Sequence, residues 1–102
     1  MENKAAACFL KCLEIRKLKL GENHPGCSDC LLNLGIVYKR RGYPLRALQA
    51  FKDCINIRKL SIGNVSKEVA NALEELCKLY IEEHRYDDGF NTAKECYEIR
   101  IR

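Results

Sequence analysis

The sequence contains no hydrophobic run that approaches the roughly 18 residues needed to cross a bilayer. Near its beginning, Lys4, Lys11 and Glu14 interrupt the apolar residues. We therefore expect no export signal, no membrane partner and a cytoplasmic location. Disorder is also disfavoured, because 47% of the residues are hydrophobic against 31% that are charged.

Strong charge of one sign is missing as well. The net charge is only +4, and residues 39–41 (KRR) form the one compact basic cluster. Proteins that bind nucleic acids usually carry a denser basic face. The sequence therefore predicts no nucleic-acid partner.

The residue patterns of catalysis are absent too. There is no glycine-rich phosphate loop, and the only histidines, His24 and His84, fall in predicted turns. Neither has a nucleophile and an orienting carboxylate at a recognisable spacing. We predict a protein that is not an enzyme and that uses no cofactor.

What the sequence does contain is a repeat. Residues 12–16 (CLEIR), 54–58 (CINIR) and 96–100 (CYEIR) recur at an interval of 42 residues, from 12 to 54 and from 54 to 96. Self-similarity at this period is the signature of a solenoid. Solenoids stack their repeats into extended surfaces that bind partners, so the repeat predicts a binding function.

Each repeat unit holds two predicted helices. Apolar residues recur at i, i+3, i+4 and i+7, which makes one stripe on each first helix. The stripes are Leu31, Leu34, Gly35 and Tyr38, then Leu73, Leu76, Cys77 and Tyr80.

Proline and glycine positions predict helices over about 25–42, 44–60, 64–83 and from 86 onward, preceded by one over 2–19. The second helices are predicted to bury Ala5, Phe9, Cys12 and Ile15 in the opening helix and Leu48, Phe51, Cys54 and Ile55 in the middle one.

This order gives an all-α chain of five helices that begins and ends in the middle of a repeat. We expect one domain made of an incomplete repeat over 1–20 and two repeats over 21–62 and 63–102. The closing helix is predicted to leave Cys96, Ile99 and Ile101 uncovered, although terminal repeats normally carry a polar outer face. The chain is therefore expected to be a segment of a longer array or to cover its ends by self-association.

These residues resemble the tetratricopeptide repeat, and in particular the 42-residue variety of kinesin light chains. The first-helix stripe of residues 31–38 matches the family pattern, and so do Gly42, Ala47, Phe51 and Cys54 around the second helix. The light-chain character lies in residues 13–16 (LEIR) and 20–25 (LGENHP). The last repeat departs from the pattern at Gly89, Ala93, His84 and Ser66-Lys67. HEAT and armadillo repeats have similar periods but lack this pattern.

The resemblance implies a right-handed α-solenoid of antiparallel helix pairs, about 2.5 repeats long, whose first helices line a concave surface. We call the following ten residues the predicted concave face: Asp29, Leu32, Asn33, Ile36, Arg40, Asn71, Glu74, Glu75, Lys78 and Glu82. Asn33 is the amide that would hold the backbone of a ligand, because an amide donates and accepts hydrogen bonds. The expected partner is a protein or an extended or helical peptide with an apolar anchor and mixed charge. The alternative is a structural element that stacks end to end on itself or on other subunits.

The seven cysteines are predicted to be free thiols, because their number is odd and three of them share one place in the repeat. Two other interpretations remain open at this point. His24, Cys27 and Cys30, with Cys8 and Cys12, have the residue types of a zinc site. Cys27 and Cys30 at a helix start also resemble a redox pair or a reversible thiol switch.

Overall fold

The computed structural model describes residues 4–101, and within them the chain is all-α, as predicted. Five helices follow one another: α1 (Lys4–Leu20), α2 (Pro25–Arg40), α3 (Pro44–Ser61), α4 (Lys67–Glu82) and α5 (Tyr86–Arg100). Residues 2 and 3 of the predicted first helix lie outside the described residues. The predicted helix count is confirmed, because the periodicity and the breakers that define each helix are local in the sequence.

Side chains that cap the first helices set where those helices begin. His24 Nδ1 accepts a hydrogen bond from the Gly26 N–H at 3.0 Å, at the start of α2. At the equivalent place before α4, Ser66 Oγ accepts from the Val69 N–H at 3.2 Å. The predicted start of α4 at residue 64 is therefore wrong. Ser66 is the N-cap, and an N-cap fixes the first helical residue, which is Lys67.

The turn after each first helix needs a left-handed residue. Gly42 has φ 82° after α2, and His84 has φ 61° at the equivalent place after α4. Glycine adopts this conformation readily, whereas any other residue is strained by it. The last repeat therefore keeps the turn geometry of the preceding repeat, although a histidine stands in the place of the glycine.

Consecutive helices pack against each other, as expected for a helical solenoid of antiparallel pairs. Contacts are most extensive within the pairs α2–α3 and α4–α5, and they continue from α1 to α2 and from α3 to α4. The array measures 35 × 31 × 14 Å. Over residues 4–101, none of the helices has the length and apolar character that spanning a membrane requires.

The predicted stripes form most of the core. Leu31, Leu34 and Gly35 on α2 are buried, and Leu73, Leu76 and Tyr80 on α4 are buried too. Tyr38 and Cys77 are only half-buried. On α3, Phe51 and Cys54 are fully buried, while Leu48 is half-buried. This burial shows that packing accounts for most of these apolar positions.

The predicted burial of α1 is wrong in part. Ala5 and Ile15 are exposed, while Ala6 and Leu13 are buried. The helix α1 packs against α2 alone, whereas α3 packs against both α2 and α4. Among the helices that the structure describes, only α2 packs against α1, and the side of α1 that carries Ala5 and Ile15 is exposed.

The predicted exposure of α5 is also wrong in part. Cys96 and Ile99 are 9% and 8% exposed, and the Cys96 thiol donates to the Ala70 carbonyl of α4 at 3.4 Å. Of the three residues expected to be uncovered, only Ile101 is exposed. Phe90 and Tyr97 are exposed instead, since they lie on the side of α5 that faces away from α4.

Candidate functional site

The first helices α2 and α4, which carry the predicted concave face, are neighbours in the fold. They contact each other directly as well as through α3. An ion pair joins them, with Lys39 Nζ 3.6 Å from Glu82 Oε1. The predicted residues on the two helices therefore belong to adjoining elements and not to separate parts of the molecule.

The residues predicted on α2 differ in exposure. Asn33 and Arg40 are exposed, as a binding residue must be. Leu32 and Ile36 are half-buried and pack against the hydrophobic core. These two side chains are therefore only partly available to a ligand, because α2 is surrounded by α1, α3 and α4 and presents a narrower free face than a lone stripe suggests.

The acidic residues predicted on α4 have cationic partners. Lys78 Nζ lies 3.7 Å from Glu74 Oε2 and 3.6 Å from Glu75 Oε1. Arg100 Nη2 lies 3.1 Å from Glu74 Oε1. Together with the Lys39–Glu82 pair, these contacts balance much of the negative charge on α4. A ligand would therefore contact both positive and negative side chains on α4 and not a purely acidic surface.

The arginine of the repeated motif has a role that the sequence analysis missed. Arg16 Nη1 donates to the Gly26 carbonyl at 2.7 Å, and Arg58 Nη1 donates to the Glu68 carbonyl at 2.8 Å. Each acceptor lies ten residues further on, in the first turn of the next first helix. These arginines thus join each repeat to the following one, and their recurrence with period 42 was the available signal.

In the two repeats that have both helices, the arginine of the motif also reaches back to the first helix of its own repeat. Arg58 Nη2 lies 3.1 Å from Asp29 Oδ1, and Arg100 Nη2 donates to Asn71 Oδ1 at 3.1 Å. Asp29 and Asn71 are equivalent positions and belong to the predicted concave face. Both side chains therefore stabilise the repeat, in addition to any contact with a ligand.

The structure does not arrange the residues of the zinc interpretation as ligands of one metal ion. His24 Nδ1 already accepts the capping hydrogen bond of α2, and the Cys27 thiol is buried and donates to the Gly21 carbonyl at 3.4 Å. Within residues 4–101, no three side chains of the types His, Cys, Asp or Glu converge as a metal site would require.

The thiol environments also argue against a redox pair. Burial, and then a hydrogen bond with the Cys12 side chain, raise the pKa of the Cys30 thiol to about 11. A reactive cysteine needs the opposite shift, because the thiolate is the nucleophile. All seven cysteines are free. Four of them, Cys27, Cys30, Cys54 and Cys96, are buried, as packing residues are.

We expect the buried Cys54 thiol to weaken the fold at high pH. Burial raises its pKa from 9.0 to about 11, although Arg58 opposes the shift. The folded chain then keeps a proton that the unfolded chain releases, so the free energy of unfolding falls as the pH rises between about 9 and 11. Urea unfolding at several pH values tests this, since Cys54→Ala should lose less stability over that range than the parent chain. Cys8→Ala, which alters an exposed thiol, is the control, and an identical slope for Cys54→Ala would contradict the prediction.

The fold and the inter-repeat contacts define a class: a helical repeat protein in which antiparallel helix pairs stack into one array. Comparison with family models then identifies the family, because the model of the tetratricopeptide repeat matches residues 2–59. The chain belongs to the tetratricopeptide repeat family, whose members are in general protein-interaction modules. A search of curated proteins finds no match to this chain.

Proposed function

We propose that the chain is a non-enzymatic module that presents the predicted concave face to a peptide or to a segment of a partner protein. The observation that supports this most directly is the adjacency of α2 and α4, with Asn33 and Arg40 exposed on α2 and charge-balanced residues on α4. Such a face favours an extended or helical peptide that carries an apolar anchor and charges of both signs. The apolar contribution of Leu32 and Ile36 is limited to the half of each side chain that the core leaves free.

The finer assignments belong to the same proposal. The 42-residue period and the linker over 20–25 support a class similar to kinesin light chains. They also support the division into 1–20, 21–62 and 63–102. Seven free cysteines support a reducing, cytoplasmic compartment. Stacking on itself through Cys96, Ile99 and Ile101 loses most of its basis, because the first two are buried.

Charge reversal tests the proposed face. Peptides selected from a random library on the immobilised chain should bind the double variant Arg40→Glu/Glu75→Lys at least about tenfold more weakly, since the loss of central contacts typically costs that much. Lys52→Glu, an exposed charge reversal on α3, should leave the affinity unchanged. Isothermal titration calorimetry with the selected peptides measures both. Equal affinity for the parent chain and the double variant would refute the concave-face model.

A further inference from the structure

A recess of about 390 Å³ lies where α1 meets the turn between α2 and α3. Its apolar side is formed on α1 by Ala6, Ala7 and Leu10. Its other side is formed by Tyr38 at the end of α2, by Arg41 and Tyr43 in the turn, and by Arg46 on α3. We call these seven residues the arginine recess. It shares no residue with the predicted concave face.

Two tyrosine rings fix the guanidinium of Arg46 in the recess. Its Cζ atom lies 5.3 Å from the ring centroid of Tyr43 and 5.9 Å from that of Tyr38. The two rings meet edge to face, with their centroids 6.5 Å apart. Stacking on aromatic rings uses the face of a guanidinium and leaves its N–H edges free to donate. Arg46 is therefore held as a hydrogen-bond donor with a defined orientation.

The positive charge of the recess is not balanced locally. Its lining contains two arginines and no carboxylate. Over the described part of the chain, neither Arg41 nor Arg46 takes part in an ion pair. Both side chains are exposed to solvent, so an anion from solution can reach them.

The last repeat shows what an arginine does at this place in the fold. The residues 42 positions after Tyr38, Arg41, Tyr43 and Arg46 are Tyr80, Glu83, Arg85 and Asp88. Arg85 stacks on Tyr80, with its Cζ atom 4.8 Å from the ring centroid, and its Nη2 atom lies 2.8 Å from Asp88 Oδ2. The recess beside them measures only about 120 Å³. In the last repeat the chain itself thus supplies a carboxylate to the stacked arginine.

In the first full repeat both acidic positions carry arginine, and the recess is about three times larger. Its chemistry therefore matches a ligand that brings the anion. A phosphate monoester carries a charge of about −1.5 to −2 at pH 7 and three acceptor oxygens. A carboxylate carries a single charge. Two guanidinium groups balance the phosphate more completely, and each can donate two parallel hydrogen bonds to it.

We propose that the arginine recess binds a phosphorylated tyrosine side chain of a partner protein. The phosphate lies between Arg41 and Arg46, and the aromatic ring covers the apolar side that includes Ala7 and Leu10, which are exposed. Phosphate alone would leave that apolar side in contact with water. The site is separate from the predicted concave face, so failure of either proposal leaves the other standing.

Phenyl phosphate is the probe, because it carries both the ring and the phosphate. Titrated into the ¹⁵N-labelled chain up to about 10 mM, it should shift the amide resonances of Ala7, Arg41, Tyr43 and Arg46. Inorganic phosphate lacks the ring and benzoate lacks the second charge, so each should bind several-fold more weakly. A glycine–serine peptide with one central phosphotyrosine should bind at the same residues, and the unphosphorylated peptide should not.

Substitutions assign the binding to the two arginines. Arg41→Gln and Arg46→Gln should each weaken the binding of phenyl phosphate by about fivefold or more, because each removes a charge-assisted donor. Lys52→Gln is the matched control, since it removes an exposed cation of α3 that does not line the recess. It should leave the affinity unchanged. Circular dichroism establishes that each variant is folded.

Four results would overturn the proposal. They are the absence of shifts at 10 mM, equal affinities for benzoate and phenyl phosphate, equal affinities for the parent chain and Arg46→Gln, and tighter binding of a single-stranded oligouridylate than of the phosphotyrosine peptide. Glu2, which lies outside the described residues, provides a further test. Unchanged affinity in Glu2→Gln supports an external ligand. A gain of about tenfold would overturn the proposal, because the chain's own carboxylate would then compete for the recess.

Discussion

Gly35→Ala should destabilise the fold strongly, although alanine is the better helix former. A Cβ atom at residue 35 would lie 2.4 Å from Cε1 and 2.5 Å from Cδ1 of Phe51, whose ring is fully buried. Overpacking of a core typically costs about 1–3 kcal/mol, while the gain in helix propensity is about 1 kcal/mol. Because the ring has no solvent-exposed space to move into, we expect the overpacking cost to lie at the upper end of that range, near 3 kcal/mol, which leaves a net loss of about 2 kcal/mol in the free energy of unfolding. Urea denaturation measures it.

A second substitution separates the clash between the new Cβ atom and the Phe51 ring from a general effect of Gly35→Ala. In a Phe51→Leu background, Gly35→Ala should cost little or nothing, so the two substitutions should be strongly non-additive. Gly89→Ala is the control on another helix, because its Cβ would come no closer than 3.3 Å, to Cγ1 of the half-exposed Ile81 side chain. A Gly35→Ala loss that is the same in both backgrounds would show that the Phe51 ring is not the cause. The last repeat has Cys77 and Ala93 at the equivalent positions, a larger residue where the aromatic is absent.

Arg58→Ala should cost about 3 kcal/mol. The side chain is 6% exposed and makes three hydrogen bonds, to Ser28 Oγ at 3.0 Å, to the Glu68 carbonyl at 2.8 Å and to Asp29 Oδ1 at 3.1 Å. Hydrogen bonds to charged groups contribute about 1.5–3 kcal/mol each. The total stays below their sum because the Asp29 carboxylate is exposed and becomes hydrated when the guanidinium is removed. Thermal and urea unfolding both report the loss.

Arg100→Ala is the matched control for Arg58→Ala, because it removes the same residue of the repeat. Its side chain is about half exposed, and the partners described for it, Asn71 and Glu74, both lie in its own repeat, so we expect a cost of about 1 kcal/mol or less. Arg58→Lys should recover only part of the loss, since an ammonium group cannot reproduce the three separate directions of the guanidinium. Equal costs for Arg58→Ala and Arg100→Ala would contradict the view that Arg58 joins two repeats.

Several parts of the fold followed from the sequence because they depend on neighbouring residues. Pro25 and Pro44 stand at the first positions of α2 and α3, as predicted. The stripe of Leu73, Leu76 and Tyr80 is buried as its spacing required. The start of α4 was missed by three residues, because Ser66 competes with the preceding polar residues for the capping position.

The candidate site was less predictable, because exposure depends on how many helices surround a given one. Nothing in the sequence around Leu32 and Ile36 distinguishes a half-buried residue from an exposed one. In contrast, the residues that recur every 42 positions indicate the family of the protein, its helix pairs and its period. They could be recognised before any contact was known.

The sequence by itself therefore determined the five helices and their order, since periodicity, caps and breakers act within a few residues of each other. Only the tertiary structure decided that Ile99 is buried while Phe90 and Tyr97 are exposed. It also decided that Arg58 joins α2, α3 and α4, through partners ten and thirty residues away in the chain. The physical reason is that burial and ion pairing are set by neighbours distant in sequence, which a helical period orients but does not identify.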